Sequence, residues 1–183
     1  MDKKLVVQEY LNSFAVLIVD KNSSSRSRLL KVMVDLGTKR SMIHTAGTMA
    51  EAADIMKANK IGLVLSDYFV GGGSGFDLFK MVRTQFSDNK NLCLILVTSN
   101  ISQTAVAKAA EEDVDSFIIK PYTMQSIQEN LLSTISSKIK PSAYIVKIEK
   151  GKEQMAKGQV AEACKTFEEA ISLHPRPSLA MFY

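Results

Sequence analysis

Four stretches of uninterrupted apolar sequence, each no longer than a β-strand, constrain this chain more than any other feature: residues 14–19, 61–65, 92–97 and 117–119. Continuous rather than alternating apolarity is what strands covered on both faces require, as in a parallel sheet. A weaker fifth candidate, 42–46, falls between the first two. Helical patterns separate the runs. Residues 26–36 put Leu29, Leu30, Met33 and Val34 on one face and stop at Gly37. Thr48 with Glu51 three residues on opens a helix over 49–59 through a capping box. Further helices are expected over 76–86, from Ser102 to about Asp113, and from Thr123 to about Lys138. A strand followed by a helix, five times over, predicts an open, doubly wound α/β sheet with right-handed crossovers. After Pro141 no strand candidate remains, and helical patterns cover 143–157 and 159–173 before Pro175 and Pro177. The expected organisation is a domain over 1–140 followed by a helical segment over 141–183.

Composition excludes several function classes. The 183 residues are 46% hydrophobic and 23% charged, the mixture of a folded domain rather than a disordered chain. The net charge of +4 is spread over both parts, with no basic arm or stripe, so nucleic acid is not an expected partner. Cys93 and Cys164 each lie in an apolar pattern and are expected to be small buried hydrophobes in a reducing compartment. Only three apolar residues follow Lys4 before Gln8 and Glu9, too few for a signal-peptide core. The apolar runs are too short to span a membrane, so a cytoplasmic protein with no membrane partner is expected.

Ligands of doubly wound sheets bind beyond the carboxyl ends of the strands. Asp20 ends the first run, Asp67 the third strand, Thr98 the fourth and Lys120 the fifth. One strand-end carboxylate means little, but two carboxylates, a hydroxyl and an ammonium ending different strands form a converging set. That set suits phosphoryl transfer: a carboxylate serves as nucleophile, and cations neutralise the charge on the phosphoryl oxygens.

The pieces Val16-Leu17-Ile18-Val19-Asp20, Leu65-Ser66-Asp67, Gly75, Val97-Thr98-Ser99 and Phe117-Ile118-Ile119-Lys120-Pro121-Tyr122 make residues 14–138 resemble the receiver domain of bacterial two-component response regulators. The resemblance implies a flavodoxin-like, five-stranded parallel sheet of order 2-1-3-4-5. It implies phosphorylation of Asp67 by a histidine kinase or phosphotransfer protein, with Asp20, Asp67 and the backbone carbonyl of Phe69 holding Mg²⁺. It further implies that Thr98 and Phe117 rearrange together as a switch, that Lys120 contacts the phosphoryl group, and that the Lys120–Pro121 bond is often cis. A receiver assists only its own phosphotransfer and dephosphorylation, so a separate enzyme activity is not expected.

The sequence departs from that family at Lys21, where a second acidic residue usually stands. The lysine lowers the negative charge offered to a divalent cation, and Mg²⁺ binding is expected to be weaker. Lys21 is expected either to pair with Asp67 or its phosphoryl group, partly replacing the metal, or to point into solvent. The alternative function is a pseudo-receiver, an interaction module never phosphorylated on Asp67. Gly71, Gly72, Gly73 and Gly75 carry no nucleotide fingerprint and are expected to give the loop after Asp67 unusual dihedrals and mobility. His44 and His174 have no partners at metal spacing and are expected to be structural or surface residues.

Residues 144–175 resemble one tetratricopeptide repeat, with Gly151, Gly158, Ala163, Phe167, Ala170 and Pro175 at its small, aromatic and proline positions. Val160, Ala163, Cys164, Phe167, Ala170 and Ile171 are expected to form one apolar face, while Lys147, Lys150 and Gln154 depart from the repeat. A single repeat cannot bury its own face. Either further repeats in a longer protein or a second copy of the chain is expected to cover it, the array binding a protein ligand.

Overall fold

The computed structural model describes residues 3–86, 89, 91–99, 114–175 and 180, which fall into two compact units, 1–136 and 137–183. The helix expected over 102–113 lies outside the described residues.

In the first unit β1 (Ala15–Val19), β2 (Ile43–Ala46), β3 (Ile61–Asp67), β6 (Cys93–Thr98) and β7 (Ser116–Ile119) form one parallel sheet of order β2-β1-β3-β6-β7. Between β3 and β6, β4 (Phe69–Val70) and β5 (Gly73–Ser74) make a separate two-stranded hairpin. Counting only strands of the main sheet, the order is the expected 2-1-3-4-5. Every residue of β1 and β6 is buried, as continuous apolar runs require. One face of the sheet packs Leu17, Val19, Val64, Leu94 and Leu96 against Phe76, Leu78, Phe79 and Val82 of α4 (Gly75–Gln85).

The helices start and stop where their sequence chemistry directs. Asn22 caps α2 (Ser23–Asp35) by accepting the Ser25 N–H, and Gly37, at φ +94°, takes the left-handed conformation beyond its end. Thr48 caps α3 (Met49–Ala58) by accepting from Glu51 N, while the Glu51 carboxylate accepts from Gly47 N, one residue further back than a strict capping box. The complete box belongs to α4, where Ser74 and Asp77 cap each other's backbone. The α5 helix (Met124–Ile139) buries Ile127, Leu131 and Ile135.

An unexpected element precedes the sheet. Residues Lys3–Ser13 form α1, burying Val6, Val7, Tyr10 and Leu11. The Tyr10 hydroxyl lies within donating distance of the carbonyls of Gly62 and Asn91, the latter at 2.6 Å, and 3.8 Å from Cys93 Sγ. It therefore ties the starts of β3 and β6 together, at the end of the sheet opposite Asp67. Gly62 is required by this close approach, because a Cβ there would lie 2.5 Å from Phe14 Cβ.

In the second unit α6 (Ala143–Ala156) and α7 (Val160–Ile171) pack as a hairpin whose turn uses Gly158 at φ +74°. Its core holds Tyr144, Ile148, Ala163, Phe167 and Ala170, joined by Ala180. The Phe167 ring lies over Gly151 so closely that a Cβ would meet it at 2.4 Å. The apolar face is narrower than expected: Val160, Cys164 and Ile171 are exposed, and Thr166 is buried in their stead. The helices meet along the line 163, 166, 167, 170, which turns Cys164 outward. Cys93, by contrast, is buried in β6 as expected. Two of the polar departures have partners across the hairpin: Gln154 Oε1 accepts from Thr166 Oγ1 at 2.7 Å, and Lys147 pairs with Glu169. His174 stacks on the Tyr144 ring, centroids 4.9 Å apart, and His44 is half-buried in β2.

Candidate functional site

The parallel arrangement brings the ends of β1, β3, β6 and β7 side by side, and with them Asp20, Asp67, Thr98 and Lys120. Lys120 Nζ lies 3.1 Å from Asp20 Oδ2 and 3.1 Å from Asp67 Oδ1, donating to both. Asp20 is almost wholly buried, at 1% exposure, so its charge depends on such partners. A second one comes from the Asn22 backbone N–H, 2.8 Å from Asp20 Oδ1. The same asparagine caps α2, so one residue fixes the helix start and the carboxylate together. That role was legible in the Asn22-Ser23-Ser24 cap pattern but was not anticipated.

Burial opposes the charge on Lys120, yet hydrogen bonds to Asp67 and Asp20 and their negative charge outweigh it and raise its pKa above 10.5. Tyr122 is raised as well. Burial is the main cause, with Asp20 and Asp67 adding to it and Lys120 and Arg28 opposing. The Lys120–Pro121 peptide is cis, as the resemblance implied.

Thr98 is buried, and its carbonyl accepts the Lys120 N–H at 2.8 Å, holding β7 to β6 at the site. Phe117 is half-buried against the core, and Asn130 Nδ2 of α5 donates to the Phe117 carbonyl and to Ser116 Oγ, each at 2.8 Å. The structure thus brings together every strand-end residue expected from sequence. Asn130 could not be foreseen, since nothing in its local pattern marks the carbonyl it holds.

The loop after Asp67 takes the expected unusual dihedral at one of its glycines. It is a hydrogen-bonded hairpin, and Gly71 anchors it to the turn before α3: Gly71 N donates to Gly47 O and Gly71 O accepts from Met49 N. Only Gly72 there has a positive φ, of +91°. Gly71 and Gly75 serve close approach instead, since a Cβ on Gly75 would stand 2.4 Å from the Asp67 carbonyl and 2.7 Å from Leu96 Cδ1.

Lys21 does not pair with the unphosphorylated Asp67 and follows the solvent-facing alternative. Its side chain is exposed, with the ammonium 5.5 Å from the centroid of the Phe69 ring, and the charge beside Asp67 comes from Lys120. The reason is local: Asp20 turns inward and Asn22 is committed to the cap, leaving Lys21 at the outer point of the turn. Phe69 is itself 56% exposed and meets Tyr68 edge-on at 4.7 Å. A cation over an exposed ring contributes only about 0.5–1 kcal/mol.

Among the described residues no group of three His, Cys, Asp or Glu side chains could hold a metal ion. The donor set is two carboxylates, already sharing one lysine. That still fits Mg²⁺, which takes one or two carboxylates and completes its octahedron with waters and phosphate oxygens.

Residues 16–132 match the response regulator receiver domain, and the chain belongs to that family. It is 28% identical over 116 residues to the chemotaxis protein CheY-3 of Vibrio cholerae, covering 63% of this chain and 87% of that protein. It is 27% identical to the chemotaxis protein CheY of Pseudomonas aeruginosa, covering 63% and 91%. Among solved structures, the chemotaxis response regulator CheY4 of Vibrio cholerae superposes with a TM-score of 0.60 at 22% identity, over 66% of this chain and 98% of that one. A CheY-like receiver from Methanospirillum hungatei gives 0.62 at 18%, over 70% and 98%. Receiver domains of this type generally bind Mg²⁺ in the acidic pocket and interact with histidine kinases or phosphotransfer proteins. Among the described residues no helix is long and apolar enough to cross a membrane.

Proposed function

We propose that this chain is a response regulator that accepts a phosphoryl group on Asp67 and uses the resulting change to control protein contacts made through its helical segment. The observation that carries the reading is the Lys120 ammonium held between the carboxylates of Asp20 and Asp67. A carboxylate nucleophile beside a fixed cation is what transfer to an acyl phosphate requires. Lys120 orients Asp67 and stays in place to neutralise a phosphoryl oxygen. Thr98, at the end of the neighbouring strand, donates its hydroxyl to the same group, and Phe117 adjusts with it. Asp20, Asp67 and the Phe69 carbonyl would hold Mg²⁺, which when bound offsets charge on the phosphoryl oxygens. The donor is a histidine kinase or phosphotransfer protein in the cytoplasm, and the chain has no activity beyond its own phosphotransfer and dephosphorylation.

The hairpin of α6 and α7 is read as a tetratricopeptide-like repeat, supported by the contact of Gly151 with Phe167 and the small residues Ala163 and Ala170 at the helix crossing. Its partner is a protein, with further repeats or a second copy covering its exposed positions. The pseudo-receiver reading draws on Lys21, which takes the place of an acidic residue.

Beryllofluoride with Mg²⁺ separates the two readings. In the native chain the amide resonances of Thr98 and Phe117 are expected to shift, and in Asp67→Asn they are expected to stay. Identical spectra with and without beryllofluoride would favour the pseudo-receiver.

A further inference from the structure

Among the described residues, Lys120 is the cation paired with both carboxylates of the cleft, Arg26 donates to the Asp20 carbonyl, and Lys21 stands over Phe69. Lys21 follows Asp20 directly, and its ammonium stands over Phe69, two residues beyond Asp67, on a hairpin fixed to the core through Gly71. Its ring contact is solvent-exposed and readily given up, whereas the ion pairs of Lys120 are partly buried. Phosphorylation replaces one negative charge on Asp67 by roughly two. With two carboxylates among the described residues, the pocket attracts a divalent cation less than one with three, and a lysine on a flexible stem follows Asp20 in the same turn.

We propose that Lys21 is a phosphoryl-binding residue: its ammonium leaves the Phe69 ring to take an oxygen of the phosphoryl group on Asp67. It supplies part of the charge that a bound divalent cation would supply, so phosphorylation depends only weakly on the ion. This rests on Asp67 being the acceptor. With a small acyl phosphate as donor, an Asp67 carboxylate oxygen forms a bond to phosphorus as the bond from phosphorus to the acyl oxygen breaks. The electron pair departs on the released carboxylate, no proton is transferred, and the phosphoryl group keeps its charge. Lys21 and Lys120 then flank that group, one from the rim and one from the floor.

The test is labelling by acetyl phosphate, followed by intact mass, in EDTA and in millimolar Mg²⁺. The chains compared are the native protein, Lys21→Ala, Lys21→Arg, Lys21→Asp and Asp67→Asn. The native chain is expected to label in EDTA at a rate within about tenfold of that in Mg²⁺. Lys21→Ala is expected to lose about tenfold or more in EDTA, equivalent to about 1.4 kcal/mol, with Lys21→Arg restoring it. Tyrosine emission, from a chain without tryptophan, gives Mg²⁺ affinity independently of labelling, and Lys21→Asp is expected to bind the ion more tightly. Labelling that requires Mg²⁺ in the native chain, or is equal in Lys21→Ala and native protein in EDTA, would overturn the role of Lys21 while leaving Asp67 as acceptor. No labelling of any chain under either condition would overturn both.

Discussion

At the scale of single residues, the site is organised by one lysine. Lys120 neutralises a carboxylate of 1% exposure and another that is mostly buried, so removing it leaves two negative charges facing each other. Lys120→Ala is expected to cost about 1–3 kcal/mol in urea unfolding at neutral pH. Adding Asp67→Asn is expected to restore much of that loss, because it removes one of the opposed charges; simple additivity of the two losses would contradict this pairing. The pH dependence follows from the same contacts. Folding raises the Lys120 pKa above 10.5, so its contribution is complete below that value and is lost as pH rises through the folded-state value. Tyr10 is raised above its ordinary 10.0, mainly by burial, and acts in the same direction. The melting temperature is therefore expected to fall as pH rises beyond about 10, and to fall less steeply in Tyr10→Phe. The four strand-end groups were legible because each closes an apolar run. The resting place of Lys21 was not, because charge complementarity alone predicts a pairing with Asp67, whose carboxylate already has Lys120 at 3.1 Å.

At the scale of elements, close approaches fix what patterning leaves open. Gly75→Ala would place a methyl group 2.4 Å from the Asp67 carbonyl, so it is expected to destabilise the fold by about 1–3 kcal/mol and to slow labelling of Asp67. A chain that loses stability but labels at the native rate would show that the strand end does not move. Tyr10→Phe removes the hydroxyl joining the starts of β3 and β6 and is expected to cost about 1–3 kcal/mol in urea unfolding. The five strands and the helices between them were readable from period and capping residues. The first helix could have been read as well, since Val6, Val7, Tyr10 and Leu11 recur at helical spacing. The anchored hairpin after Asp67 was hidden because glycine permits both mobility and close packing, and only the contact with Gly47 separates them.

At the scale of the whole molecule, the candidate site lies within the first of the two units. All groups placed at the candidate phosphoryl-accepting site belong to residues before 131, and α5 ends at Ile139. The truncated chain 1–140 is therefore expected to take up label from acetyl phosphate at the native rate. A rate changed by tenfold or more would mean that the helical segment acts on the site. The second unit was legible as a helical hairpin from its small and aromatic positions. Its outward face was misjudged at Val160, Cys164 and Ile171, because a pattern of apolar residues does not say which edge of a broad stripe meets the neighbouring helix.

The central claim is that Asp67 itself receives the phosphoryl group, and its most direct test is chemical. Borohydride reduces an acyl phosphate on an aspartate to homoserine, so peptide mapping after treatment with acetyl phosphate and borohydride locates the acceptor. Homoserine at position 67 alone, absent without the phosphodonor, is the expected result. Homoserine at another carboxylate, or at none, would contradict the account.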